Sequence, residues 1–83
     1  METITLNIVF YGALKAFFGD KLTINKPLGC TITEVIQLLQ ESKIDAKELL
    51  DSCQCAIDSD IISKEHQLMV SSELILLPPF SGG

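Results

Sequence analysis

The 83-residue chain has no arginine; its six cations are all lysines, set against eleven Asp and Glu, for a net charge of −5. Nucleic-acid binding draws its affinity from cations that displace counterions from phosphates, and this chain has too few. An anionic membrane surface is disfavoured for the same reason. The only histidine is His66, and the cysteines are Cys30, Cys53 and Cys55. A structural zinc site takes about four nitrogen or sulfur ligands, and a plant-type iron–sulfur site needs four cysteines at a set spacing, so no metal is expected. The cysteines read instead as small core residues. Cys53 and Cys55 would share a face if both lay on a strand. No apolar run approaches the roughly 18 residues that cross a bilayer. The opening Met1-Glu2-Thr3-Ile4 lacks the basic start and apolar core of an export signal. An odd cysteine count without such a signal suits a reducing compartment, so the expected location is the cytoplasm. Repeats, low-complexity tracts and internal linkers are absent.

What is present is apolar: 47% of residues are hydrophobic and 20% charged, which excludes a disordered chain. The length allows one domain, which buries only roughly 60–65% of its unfolded surface. A deep internal pocket for a large cofactor is therefore not expected. The apolar content suggests surface reserved for a partner. The acidic balance either favours a basic protein partner or simply keeps the domain soluble.

Periodicity marks the elements. Ile4, Leu6, Ile8 and Phe10 alternate with mostly polar neighbours over residues 3–10, which predicts a strand with one buried face. Leu14, Phe17 and Phe18 predict a short helix or helical turn, with Gly19 as its C-cap. Lys21 to Lys26 alternates again, with Leu22 and Ile24 inward, and Pro27 ends that strand. Thr31-x-x-Glu34 is a capping box opening a helix to about Ser42, with Ile32, Val35, Ile36 and Leu39 as its stripe. Asp45 is a candidate cap for a shorter helix that turns Leu49 and Leu50 inward. Cys53 to Asp58 reads as a strand, Asp58-Ser59-Asp60 as a turn, and Ile61-Ile62 as a short return strand. Residues 63–72 are ambiguous, with Leu68, Met69 and Val70 as expected core contacts. Glu73-Leu74-Ile75-Leu76-Leu77 suits a central strand covered on both faces. Strands around one main helix mean an α+β fold, a mixed sheet with the helix packed on one face.

The sequence ends Pro78-Pro79-Phe80-Ser81-Gly82-Gly83. Two consecutive prolines stop the preceding strand. Six residues near full extension reach on the order of 20 Å, enough to enter a buried site on another protein. Pro78 and Pro79 restrict φ, so less entropy is lost on docking. Phe80 can anchor in an apolar pocket. Gly82 and Gly83 lack Cβ atoms, can thread a narrow channel, and leave a terminal carbonyl open to attack. The carboxylate is ionised at pH 7 and is a poor electrophile until activated. Adenylation with ATP would convert it to a mixed anhydride that sulfur can attack.

The element order resembles the ubiquitin-like β-grasp fold. The ending Leu76-Leu77-Pro78-Pro79-Phe80-Ser81-Gly82-Gly83 resembles the small, sulfur-carrying subunit of molybdopterin synthase. Ile8-Val9-Phe10-Tyr11-Gly12 with Leu14, Thr31 leading into Leu38-Leu39, and Ala56-Ile57-Asp58 fit the same family. Pro-Pro-x-Ser-Gly-Gly is the most specific part of the resemblance, since thiamine-pathway and tRNA-thiolation carriers share Gly-Gly but usually not Pro-Pro. Ser71-Ser72-Glu73 departs from the Gly-Asp-Glu that relatives often carry.

The resemblance implies a β-grasp domain over residues 1–77 and a flexible sulfur-carrying tail over 78–83. Gly83 would be adenylated by an E1-like enzyme, become a C-terminal thiocarboxylate, and deliver sulfur inside the large catalytic subunit. There cyclic pyranopterin monophosphate becomes molybdopterin, in a heterotetramer of two large and two small subunits. Gly82 would give clearance, and Pro78, Pro79, Phe80 and Ser81 would position the tail. The resemblance implies no cofactor or metal held by this chain, ATP being used by the activating enzyme. The acid–base and substrate-binding groups would belong to the partner. A thiamine or tRNA-thiolation carrier, or a protein modifier joined to lysine, remains the alternative.

Overall fold

Strand β1 (Thr3–Phe10) forms where period-two alternation lets Ile4, Leu6, Ile8 and Phe10 bury on one face. Gly12–Leu14 then makes a 3-10 turn that runs into helix α1 (Lys15–Phe18). Gly19 ends that helix at φ 79°, its N–H donating to the Lys15 carbonyl at 2.9 Å. Strand β2 (Lys21–Pro27), helix α2 (Ile32–Ser42), a 3-10 turn (Ile44–Ala46), helix α3 (Lys47–Ser52), and strands β3 (Gln54–Ile57), β4 (Asp60–Ile62) and β5 (Ser72–Leu77) follow. The computed structural model describes residues 2–79.

The five strands lie in the order β2-β1-β5-β3-β4. β1 and β5 pair in parallel, from Leu6 opposite Ser72 to Phe10 opposite Leu76. β2 pairs antiparallel with β1, and β3 antiparallel with both β4 and β5. This is the ubiquitin-like β-grasp arrangement. Helix α2 turns Ile32, Val35, Ile36 and Leu39 into one core with Leu6, Ile8, Phe10, Leu74 and Leu76.

The start of α2 shows where the ambiguous segment 63–70 belongs. A helix leaves its first backbone N–H groups without intrahelical partners. Here Ile32 N–H donates to the His66 carbonyl (3.1 Å) and Thr33 N–H to the Lys64 carbonyl (3.0 Å). Glu34 N–H donates to Thr31 Oγ1 (3.3 Å), and Thr31 N–H meets Glu34 Oε1 at 3.5 Å, which completes the capping box. Leu68 N–H donates to the Cys30 carbonyl, and Gly29 N–H to that of Leu68, both at 2.8 Å. The segment is a strap across the helix start.

Several expectations are corrected. Only Leu68 of the strap is buried; Met69 is 57% and Val70 68% exposed, because the strap's backbone rather than its side chains faces the helix. Asp45 caps nothing: it sits inside the Ile44–Ala46 turn, and α3 starts after Ala46 without a side-chain cap. Cys53 is the C-cap of α3, so β3 begins at Gln54. Leu22 is 36% exposed, because β2 is an edge strand and the core does not reach its far end. β5 is central but covered on one face only. Leu74 and Leu76 are buried there, while Ile75 and Leu77 are half-buried on the other.

Candidate functional site

Parallel pairing brings the C-terminal ends of β1 and β5 to the same end of the sheet. Phe10 and Leu76 are opposite one another, so Tyr11-Gly12 and Pro78-Pro79 leave the sheet side by side. Gly12 has φ 58°, the left-handed region that costs other L-residues roughly 1–2 kcal/mol. A Cβ on Gly12 would lie 2.9 Å from Pro78 Cγ. Conformation and close approach both call for glycine at this position. Pro78 is half-buried and Pro79 exposed. Phe80, Ser81, Gly82 and Gly83 lie outside the described residues.

The base of this segment is firmly built. The Phe10 ring stacks on Phe18, with centroids 4.7 Å apart and planes 12° from parallel. Phe10 N–H donates to the Asp20 carbonyl at 3.0 Å, and Leu14 N–H to that of Tyr11 at 3.3 Å. Lys15 Nζ lies 5.9 Å from the exposed Tyr11 ring and 3.7 Å from Asp20 Oδ1. Both contacts are solvent-exposed and contribute little to stability.

Beside this end lies the face of the sheet that no helix covers. The register sets Val9 opposite Ile75, Ile75 opposite Ala56, and Ala56 opposite Ile61. These four residues form an apolar row across β1, β5, β3 and β4, about 14 Å long. Ile61 at its end is 58% exposed. Leu77 is on the same face, directly before Pro78. Towards β2 that face carries Thr5, Asn7, Thr23 and Asn25, with Thr5 hydrogen-bonded to Asn25 (3.0 Å) and Thr23 to Asn7 (2.9 Å), and with Lys21 opposite Val9 and Glu73 opposite Asn7.

Nothing in this region is a nucleophile or acid–base pair. All three cysteines are buried and free. Cys53 Sγ donates to the Leu50 carbonyl at 3.2 Å. Hydrogen bonding between the two thiols, with burial, pushes Cys55 well above the usual range and draws Cys53 below it. Burial raises Cys30 as well. Among the described residues no group of three or more His, Cys, Asp or Glu could hold a metal ion. Likewise, no helix there is long and apolar enough to cross a membrane.

A family model described as the ThiS family matches residues 8–83. The chain belongs to the ThiS family. No curated protein matches it. Solved structures with the same fold include the HVO 2177 protein of Haloferax volcanii, at TM-score 0.81 and 15% identity, covering 98% of this chain and 88% of that one. A Pyrococcus furiosus protein provisionally assigned as molybdopterin converting factor, subunit 1, matches at TM-score 0.79 and 16% identity, over 92% of this chain and 98% of that one. The small archaeal modifier protein 1 of Methanosarcina acetivorans matches at TM-score 0.78 and 20% identity, over the whole of both chains. At these identities the likeness is one of fold.

For this ThiS-family chain, sequence reasoning singled out the six residues from Pro78 on. The structure describes Pro78 and Pro79 at the end of the central strand. It adds two features that sequence reasoning missed. The apolar row was hidden because each strand supplies only one or two of its members. The Gly12–Pro78 contact joins positions far apart in the chain; its only trace is a glycine just after the first strand and a proline just after the last.

Proposed function

We propose that this protein is a sulfur carrier of molybdenum cofactor biosynthesis. The observation that carries the proposal is the position of β5. A strand at the centre of a ThiS-family sheet runs straight into Pro78-Pro79, and the sequence continues Phe80-Ser81-Gly82-Gly83. An E1-like enzyme uses ATP to adenylate the Gly83 carboxylate, releasing pyrophosphate. A sulfur nucleophile then displaces AMP and leaves a thiocarboxylate. The carrier supplies no acid–base group. Gly83 bears the sulfur, Gly82 gives clearance, and Pro78, Pro79, Phe80 and Ser81 guide the segment into the large synthase subunit. Within that subunit the sulfur passes to cyclic pyranopterin monophosphate. Val9, Ile75 and Leu77 near the base of the segment, and Ile61 at the far end of the row, form the apolar surface on which these enzymes dock. The net charge of −5 favours partners with a basic rim.

A second reading has a specific ground, since archaeal modifier proteins are among the structural neighbours. In it Gly83 is activated in the same way and joined to a lysine amine instead. High-resolution mass spectrometry of the C-terminal fragment separates the two readings. The protein is incubated with ATP, its activating enzyme and a sulfur source. One oxygen-to-sulfur exchange on Gly83 supports a carrier, and turnover of cyclic pyranopterin monophosphate with the large subunit then identifies the pathway. An unmodified Gly83, with the enzyme active on another carrier, overturns the proposal; Gly83 found on substrate lysines favours the modifier.

A further inference from the structure

We infer that the outer edge of β2 is a self-pairing surface, to which a second copy of this chain adds its own β2, antiparallel, with Thr23 opposite Thr23. The inference does not depend on the carrier reading. β2 stands at one end of the strand order, and among the described residues no strand pairs with its outer side. In an antiparallel pair every second residue turns its N–H and C=O toward the partner strand. Phe10 N–H donates to the Asp20 carbonyl and Leu28 N–H to that of Glu2, both at 3.0 Å. Asp20 and Leu28 therefore face β1, as do Leu22, Ile24 and Lys26 between them. Lys21, Thr23 and Asn25 turn their backbone groups outward. Pro27, next in that series, has no N–H and ends the usable edge. A row of outward backbone groups is a template for another strand.

The side chains select the partner and the register. A two-fold axis through the sheet keeps each face on its own side, so opposed residues must belong to one face. Pairing about Thr23 sets Lys21 opposite Asn25 of the second copy, and each hydrogen-bonded pair exchanges two bonds. On the helix-covered face it sets Leu22, 36% exposed, opposite the half-buried Ile24. One step further, Asp20 stands opposite Lys26, an opposite-charge pair that the symmetry makes twice. The contact Asp20 has within its own chain, with exposed Lys15 at 3.7 Å, is a weak competitor. On the open face Thr23 and Asn25 are already held by Asn7 and Thr5, so little further ordering is needed there.

The neighbouring register, about Ile24, is poorer. It sets Leu22 opposite Lys26 and Lys21 opposite Pro27, which loses an apolar pair and backbone hydrogen bonds. The other edge strand, β4, has three residues and in the same arrangement would set Asp60 against Ile62. Pairing through β2 uses the free edge of both copies, so it closes as a dimer. Two five-stranded sheets become one, with both open faces on the same side. β5 and Pro78 lie two strands away from the contact and stay uncovered.

Sedimentation equilibrium of the full chain from about 10 µM to 1 mM, with amide exchange read by NMR at both ends of that range, tests the inference. One paired strand buries less than the roughly 1,200 Å² of a stable interface, so the dimer is expected toward the upper end. There the mass should rise toward twice 9.1 kDa. Exchange should slow at the Lys21, Thr23 and Asn25 amides and stay as it was at Leu22 and Ile24. Thr23→Pro removes the central outward N–H and no backbone bond to β1, and should hold the protein monomeric. Asp20→Lys and Lys26→Glu each set like charges opposite one another and should weaken the dimer about tenfold. Mixed together, the two variants face each other with opposite charges at both pairs, and the dimer should return. This mixture decides the matter even if Thr23→Pro does not fold. A single-chain mass at every concentration overturns the inference, as does slowed exchange at Ile61 and Ile62 instead, or a mixture no more dimeric than its parts.

Discussion

The two faces of the sheet are built from the same strands and do different work. Neighbours in β5 show the contrast. Leu74 and Leu76 point under the helices and are fully buried, whereas Ile75 and Leu77 point the other way and remain half-buried. The covered face is almost wholly apolar. The open face carries one apolar row among polar and charged residues, Lys21 and Glu73 included. Burial on the first face holds the fold together, while exposure on the second leaves apolar area to be covered by something else. The difference also explains why the last strand reads as covered on both sides in sequence. Its run of Leu and Ile is continuous because two different surfaces draw on it.

The largest expected effect breaks the covered face. Leu74→Ala should destabilise the fold by about 2–5 kcal/mol, read as the midpoint of urea unfolding. A loss below about 1 kcal/mol would mean that α2 does not clamp this face. Next comes the open face. Ile61→Ala should weaken binding to the activating enzyme or large subunit by about 1–3 kcal/mol while changing stability by less than about 0.5 kcal/mol. An unchanged dissociation constant would remove the apolar row from the docking surface.

The third test uses pH and concerns the covered face again. Folded Cys55 holds its proton more tightly than an unfolded thiol does. Its partner Cys53 is shifted the other way, so the statement holds for Cys55 alone: there the folded state keeps a proton that the unfolded chain loses above about pH 8.5, and that contribution to stability falls as pH rises. Cys55→Ala should flatten this fall, read as the urea midpoint across the alkaline range. The smallest effect concerns the β3–β4 hairpin, which holds Ile61 at the end of the row. Asp58 and Ser59 sit at φ 52° and 70°. A two-residue turn of this kind suits glycine, so Ser59→Gly should raise stability by roughly 0.5–1 kcal/mol. A fall in melting temperature would contradict that reading.

Much of the fold is legible in residue order where the signal is local. The alternation of Ile4, Leu6, Ile8 and Phe10, the Thr31–Glu34 box and the Gly19 cap each depend on neighbours a few positions away. Met69 and Val70 misled because apolar side chains do not reveal that a segment is held by its backbone. Asp45 misled because an N-cap depends on where the helix begins, and that was decided by the preceding 3-10 turn. At the candidate site, Pro78 and Pro79 are legible as a strand stop. The companion of Pro78 is not, since Gly12 meets it only through the parallel pairing of β1 with β5.

That pairing has a consequence for the order of assembly. Leu6 and Ser72 are opposite residues, and the strands between which β5 fits lie on either side of it in the sheet. During synthesis the early hairpin of β1 and β2 and the main helix must wait for the final strand, because a long-range contact cannot form before both of its partners exist. A partly made chain thus offers no finished domain. The strand that closes the structure is also the one that carries Pro78, so native folding and correct display of the segment beyond it are completed in one event.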